Sequence, residues 1–267
     1  MATLVFFHAH PDDECIATGG TMAMAAADGH RVVLVTATKG ELGEPTPGIL
    51  AEGEELWTRR VSEVEQSARV LGAARGEFLG YRDSGMIDTQ GNDDPTSFWQ
   101  ADLEEAAQRL ADLLIEEEAD VLTIYDEHGN YGHPDHIQVH RVGARAAVIA
   151  GTKTVLMATI NRDSMIRLIT AARDGGMPGS DQMPDPEGMD MGEPEARITH
   201  AVDVTSFIGQ KREAMRCHKS QIAENSFFLE MPDEVFAGAF GTEWYVALGE
   251  GWGSGPDAWS GSIVSAV

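Results

Sequence analysis

Two histidines and three carboxylates meet in one short stretch, Phe6-Phe7-His8-Ala9-His10-Pro11-Asp12-Asp13-Glu14. Imidazole and carboxylate are the donors a catalytic zinc takes, three from the protein with a fourth position left for water or substrate. Three consecutive carboxylates repel one another, and a bound cation offsets that repulsion. His10 and Asp13 are candidate ligands, so a third must come from elsewhere. A second cluster offers it: Asp126-Glu127-His128-Gly129-Asn130-Tyr131-Gly132-His133-Pro134-Asp135-His136. His128, His133 and His136 are all candidates there, with His140 one turn further along a helix. His136 begins that helix and can face back over a sheet edge, whereas His140 reads as a surface or packing residue. His128 reads as loop decoration, and His8 as a residue of the preceding strand.

Elements of the right kind stand in front of both clusters. The apolar run Leu4–Phe7 reads as a strand, and small residues from Cys15 to Asp28 read as a helix. Arg31–Thr36 is β-branched and apolar on both faces, as buried parallel strands are. Trp57, Val61, Val64, Ala68 and Leu71 step by four and three, predicting an amphipathic helix over 54–71. A strand near 76–81, a turn Arg82-Asp83-Ser84-Gly85-Met86, a polar loop at 88–97 and a helix over 98–118 follow. The buried strand 120–125 then leads into the second cluster. Pro134 suits a first helical turn, and 137–150 continues that helix. Further on, a strand is expected at 154–160, a helix at 164–173, a strand at 198–204, a helix at 205–218 and a strand at 243–248. The alternation predicts an α/β fold with a mostly parallel sheet covered on both faces. Both clusters then follow strand carboxyl ends and share one sheet edge, where ligands bind in open α/β sheets. We expect a single domain over 1–267, with the metal site in a core of 1–160 and C-terminal additions from 161. Within the additions, 174–195 lacks apolar periodicity and reads as a long loop, either lid or disorder.

Simpler readings account for some of these residues one at a time. An acidic turn before a helix complements the helix dipole, which would explain Asp12, Asp13 and Glu14. It would not explain two His-Pro-Asp segments at one edge. Arg60 could pair with Glu63 or Glu65 on a solvated face, and Asp83 could simply form a turn. The net charge of −25 over 267 residues argues against nucleic acid and anionic membranes as partners. Two cysteines, Cys15 and Cys217, supply no disulfide framework or thiolate cluster. No apolar run reaches the roughly 20 residues of a membrane span. Strand-like sequence from Thr3 leaves no room for a signal peptide, so a cytoplasmic location is expected.

His10-Pro11-Asp12-Asp13-Glu14 together with His133-Pro134-Asp135-His136 resembles the signature of the LmbE / PIG-L family of zinc-dependent de-N-acetylases. That family includes N-acetylglucosaminyl-inositol deacetylases of mycothiol and GPI biosynthesis, and relatives in antibiotic pathways. The similarity runs on through Thr36–Glu41, Arg60 and Glu63, Tyr81–Met86 and, more loosely, His218-Lys219-Ser220-Gln221. It implies a Rossmann-like three-layer fold, zinc as cofactor and an N-acetylated amino-sugar conjugate as substrate. Carried over, it implies His10, Asp13 and His136 as zinc ligands and Asp12 as general base. His133 and Tyr131 match groups that stabilise the transition state. Arg60 and Asp83 match positions lining the sugar pocket, Met86 fits a wall of it, and His218 would reach it from the C-terminal region. Zinc would lower the pKa of a water to about 7 and polarise the amide carbonyl. A protonated His133, kept charged by Asp135 or another acid, would pair with the Tyr131 hydroxyl as oxyanion donors. The alternatives are a metal-dependent hydratase of an unsaturated carboxylic acid and a non-catalytic sugar- or metal-binding protein. The retained Asp12 and His133 argue against the silent binder, and a homo-oligomer is left open.

Overall fold

The structure, a computed structural model, describes residues 1–176, 185–186, 188–249 and 259–264. Among the described residues, seven strands join one sheet in the order β3-β2-β1-β4-β5-β7-β6. They are β1 (Thr3–His8), β2 (Arg31–Thr38), β3 (Arg75–Tyr81), β4 (Val121–Tyr125), β5 (Thr154–Thr159), β6 (His200–Asp203) and β7 (Thr242–Ala247). The first five are mutually parallel. β7 runs antiparallel to both β5 and β6, so the sheet is mixed at one side. Leu4, Val5, Phe6 and Phe7 have no solvent contact, which is why this run is apolar on both faces.

The helices are α1 (Asp13–Ala17), α2 (Gly19–Ala27), α3 (Leu56–Val70), α4 (Leu103–Glu116), α5 (Gly129–Gly132), α6 (Pro134–Ala150), α7 (Arg162–Asp174), α8 (Ile208–Cys217), α9 (Phe227–Glu230) and α10 (Asp233–Phe240). α4 packs on α6, while α2 and α3 pack on α8, giving the three-layer arrangement. From β1 the order runs outward to β2 and β3 on one side and to β4 and β5 on the other. The switch point, where open α/β sheets bind ligands, therefore lies between the carboxyl ends of β1 and β4. Those ends are His8 and Tyr125, and each leads straight into one of the two clusters.

Several elements differ from their sequence-based outlines. The single helix expected over 15–28 is two, broken at Thr18. The Thr18 hydroxyl bonds the ring of His8 (2.9 Å), and the Glu243 carboxylate accepts the N–H groups of Gly20 and Thr21 (2.8 Å each), capping α2 from β7. α4 starts at Leu103 rather than 98, because the Asp102 side chain caps it by accepting the Glu105 N–H. α8 starts at Ile208, after a 3-10 turn over Thr205–Phe207. α9 and α10 have no counterpart in the sequence reading. The expected loop 174–195 lies partly outside the described residues.

Candidate active site

Asp12 has a backbone φ of 119°, a region that a residue with a Cβ rarely occupies. Its neighbours hold it there. The Asp12 N–H donates to Glu14 Oε2 (3.0 Å), and its carbonyl accepts the Cys15 S–H (2.9 Å). Arg60, buried in α3, donates to the carbonyls of Pro11 (2.6 Å) and Gly40 (2.9 Å) and lies 3.2 Å from Asp12 Oδ2. Gly40, at φ 66°, admits that guanidinium: a Cβ there would lie 2.2 Å from Arg60 Nη1. The result is a carboxylate aimed into the cleft. Burial, opposed by Arg60, pushes the Asp12 carboxyl up to about 6.

The second cluster arrives from β4. Asp126 accepts the N–H groups of His128 (3.1 Å) and Asn130 (2.8 Å) through Oδ1 and the Thr159 hydroxyl (2.6 Å) through Oδ2, folding the loop back on itself. Asn130 adopts φ 62° and ψ −66°, which turns the chain sharply toward Tyr131. α6 then begins at Pro134 with His136 in its first turn. His136 lies face to face with Tyr125, ring centroids 4.5 Å apart at 23°. Its Nδ1 has no hydrogen-bond partner, so stacking on Tyr125 and the contacts of Nε2 set the ring.

Asp13 stands between the two clusters. One oxygen is 3.4 Å from His10 Nδ1 and the other 3.4 Å from His136 Nε2. Donors about 2.0–2.1 Å from a tetrahedral zinc are about 3.3–3.4 Å apart; each spacing has that length pairwise, with a different Asp13 oxygen facing each ring. His133 joins the same neighbourhood, with ring nitrogens of His10, His133 and His136 all within 4.8 Å of one another. The far side of His10 is held as metal-binding imidazoles are: Nε2 lies 3.1 Å from Asp135 and 3.6 Å from Asp83. Burial alone would lower the His10 pKa, but Asp13, Asp135 and Asp83 outweigh it and hold it well above the usual imidazole range. That is the signature of a site with surplus negative charge.

His133 is not held protonated by Asp135. Its Nδ1 accepts the Asp135 backbone N–H (3.1 Å), as the N-cap of α6. The Asp135 carboxylate turns instead to His10 and to Ser84, whose N–H (3.0 Å) and hydroxyl both donate to it. Burial, and then the rings of His10 and His136, lower His133 to about 4. A neutral ring accepting at Nδ1 carries its proton on Nε2. The Tyr131 hydroxyl lies 3.5 Å from His136 Nε2, and burial and then the Asp13 charge raise its pKa, so it remains a donor.

These residues open onto a cleft of about 610 Å³ lined by His10, Asp12, Asp13, Arg60, Asp83, Met86, Tyr131 and His133. Asp83 accepts the N–H groups of Leu42 (3.1 Å) and Gly85 (2.8 Å), tying two loops at the rim. His218, expected at the pocket, is not among the lining residues. It has no solvent contact and bonds Glu14 Oε1 at 2.6 Å, behind Asp12. His8 is also unavailable as a ligand, with Nδ1 on the Tyr125 hydroxyl (2.7 Å) and Nε2 on Thr18. The sequence reading missed Ser84 and Tyr125 as supports and Gln221, Glu44 and Thr89 as lining residues. Ser84 lies inside the Tyr81–Met86 match, and Tyr125 is marked in sequence only by ending its strand.

An acid beside clustered histidines and aspartates, at the switch point of a parallel sheet, is an arrangement that could hold a metal ion for hydrolysis on an α/β fold. The chain belongs to the PIG-L family of de-N-acetylases, which hydrolyse amide bonds: residues 5–147 match that family, described as GlcNAc-PI de-N-acetylase. It is similar to the 1D-myo-inositol 2-acetamido-2-deoxy-alpha-D-glucopyranoside deacetylase of Acidothermus cellulolyticus, at 41% identity over 262 residues, covering 93% of this chain and 89% of that protein. Among solved structures, the N,N'-diacetylchitobiose deacetylase of Pyrococcus horikoshii superposes with a TM-score of 0.57 at 21% identity, covering 92% of this chain and 83% of that one. The 4-carboxy-2-hydroxymuconate hydratase of Pseudomonas putida superposes with a TM-score of 0.59 at 19% identity, covering 94% and 98%. The fold is thus common to deacetylases and a hydratase.

Proposed function

We propose that the chain removes the acetyl group from an N-acetylglucosaminyl-inositol-type conjugate, using zinc held by His10, Asp13 and His136. The observation that carries this reading is the half-buried carboxylate of Asp12, on a strained backbone and lining the cleft beside those donors. The relatives at about 40% identity supply the substrate class, since their names specify an acetamido sugar on inositol. When bound, zinc supplies a Lewis acid that polarises the acetamide carbonyl and lowers the pKa of a water to about 7.

The protein groups do the rest. Asp12 takes one proton from the attacking water as its oxygen bonds to the carbonyl carbon. It then returns that proton to the amine nitrogen as the C–N bond breaks, leaving a free amino sugar and acetic acid, which ionises to acetate by releasing the water's second proton. The Tyr131 O–H and the His133 Nε2–H donate to the acetamide oxygen as it gains negative charge. Donation from a neutral His133 replaces the charged donor expected from sequence. Asp135 keeps the proton of His10 on Nε2, which leaves Nδ1 free to bind. Arg60 braces the Asp12 loop, and Asp83 and Met86 form the sugar side of the cleft.

The test is a zinc-loaded preparation offered a panel of GlcNAc conjugates, with primary amine quantified, beside an unsaturated dicarboxylic acid. Release of amine from the inositol conjugate is expected. No amine from any conjugate, with turnover of the diacid, would replace this reading with a hydratase.

A further inference from the structure

We propose that His218 is a positioning residue for the reaction: acting through Glu14, it fixes the backbone of Asp12 so that its carboxylate faces the cleft. The inference rests on Asp12 being the base, as proposed above. A φ of 119° is disfavoured for any residue with a Cβ and persists only where surroundings over-determine it. The tether on the nitrogen side of Asp12 is a single bond, its N–H donating to Glu14 Oε2 (3.0 Å). The stiffness of that tether depends on what holds Glu14.

Glu14 has almost no solvent contact, so protein groups must satisfy its charge. Its other oxygen, Oε1, receives the Ser67 hydroxyl (2.5 Å) and His218 Nε2 (2.6 Å). His218 is the stronger partner, because a short bond between imidazole and carboxylate is charge-assisted. The residue that carries the imidazole is anchored through its main chain. The anchor is the His218 backbone, whose carbonyl accepts the N–H groups of Gln221 (2.9 Å) and Ile222 (2.7 Å), while among the described residues Nδ1 of the ring has no partner and Nε2 on Glu14 is its one hydrogen bond. The next turn docks on α3 through Ser220, whose N–H and hydroxyl donate to Glu63 at 2.9 and 2.5 Å. A chain of contacts thus runs from α3 and the segment after α8 through His218 and Glu14 to Asp12. His218 has no solvent contact and is not among the residues that line the cleft.

Loss of the imidazole leaves a buried carboxylate short of a donor, and the simplest relief is for Glu14 to shift and release the Asp12 N–H. The experiment compares His218→Phe, His218→Gln and Ser67→Ala with the parent, as zinc-loaded protein on the N-acetylglucosaminyl-inositol substrate. Zinc affinity is measured by chelator competition, and Asp12 φ is read from a crystal structure of His218→Phe. The expected result is a kcat lower by roughly 10–100-fold in His218→Phe, the range for groups behind a reacting centre. KM should change by less than about threefold, zinc affinity should be unchanged, and φ at Asp12 should leave the region near 119°. His218→Gln, whose amide can still donate to Oε1, should recover part of the loss, and Ser67→Ala should lose less in the same direction. An unchanged kcat, a glutamine no better than phenylalanine, or a parallel loss of KM and zinc affinity would overturn the proposal. Should His218→Phe not fold, an unaltered kcat in Ser67→Ala would do the same. A parent protein that releases no amine would instead sink the proposed function, and the φ measurement would still judge the tether.

Discussion

Asp12 is the residue on which the chemistry turns. It neighbours a proposed ligand and lines the same cleft as His10 and Asp13, held by Arg60, Cys15 and Glu14. Asp12→Asn should therefore lower kcat by about 10²–10⁴-fold, the usual contribution of a positioned proton-transfer group. Zinc content, measured by elemental analysis, should stay at the parent value. Full turnover in the Asp12→Asn variant would remove Asp12 as the base. The donors were legible in sequence because they are contiguous in two motifs. The state of His133 was not, because it depends on which way the Asp135 carboxylate turns. Ser84, supplied by a loop distant in sequence, makes that choice.

Elements hold these residues through a few cross-links. Asp135, in the first turn of α6, reaches both His10 after β1 and Ser84 after β3. Asp135→Asn keeps the size but loses the charge that orients His10. Zinc affinity should fall by roughly 10–100-fold in a chelator competition, as for other groups that orient ligands. Unchanged affinity would show that His10 is set by other contacts. A second cross-link lies at the opposite rim, where Glu117 after α4 receives Arg31 of β2 (2.5 Å) and Arg75 of β3 (2.7 Å). Arg31, and then Arg75, lower the Glu117 carboxyl from 4.5 to about 2, against burial. A depressed folded-state pKa gives stability that is present above 4.5 and is lost as pH falls through about 2. Arg31 is 41% exposed, so screening limits the effect to about 1 kcal/mol. In urea melts, Glu117→Gln should be less stable than the parent at about pH 7, and the gap should close between about pH 4.5 and 2. A gap independent of pH would mean the charge is not what matters. The parallel strands were legible because both of their faces are buried. The break at Thr18 was not, because the group that caps α2 is Glu243, 223 residues away from Gly20.

At the scale of the whole molecule, strand order makes the site. Placing β1 beside β4 brings two motifs far apart in sequence to one switch point. Sequence showed that both follow strand ends, but not that those strands are neighbours. The later strands β6 and β7 add an antiparallel side to the sheet, and the segment after α8 returns to back the first turn. Among the described residues, no helix is long and apolar enough to cross a membrane. As proposed, one zinc held by His10, Asp13 and His136 serves amide hydrolysis at this switch point. The direct measurement is amine release from N-acetylglucosaminyl-inositol by metal-depleted protein titrated with zinc. The rate is expected to rise with zinc, level at one equivalent per chain, and be lost in Asp13→Ala. Full activity in Asp13→Ala, or no amine at any zinc concentration, would contradict that proposal.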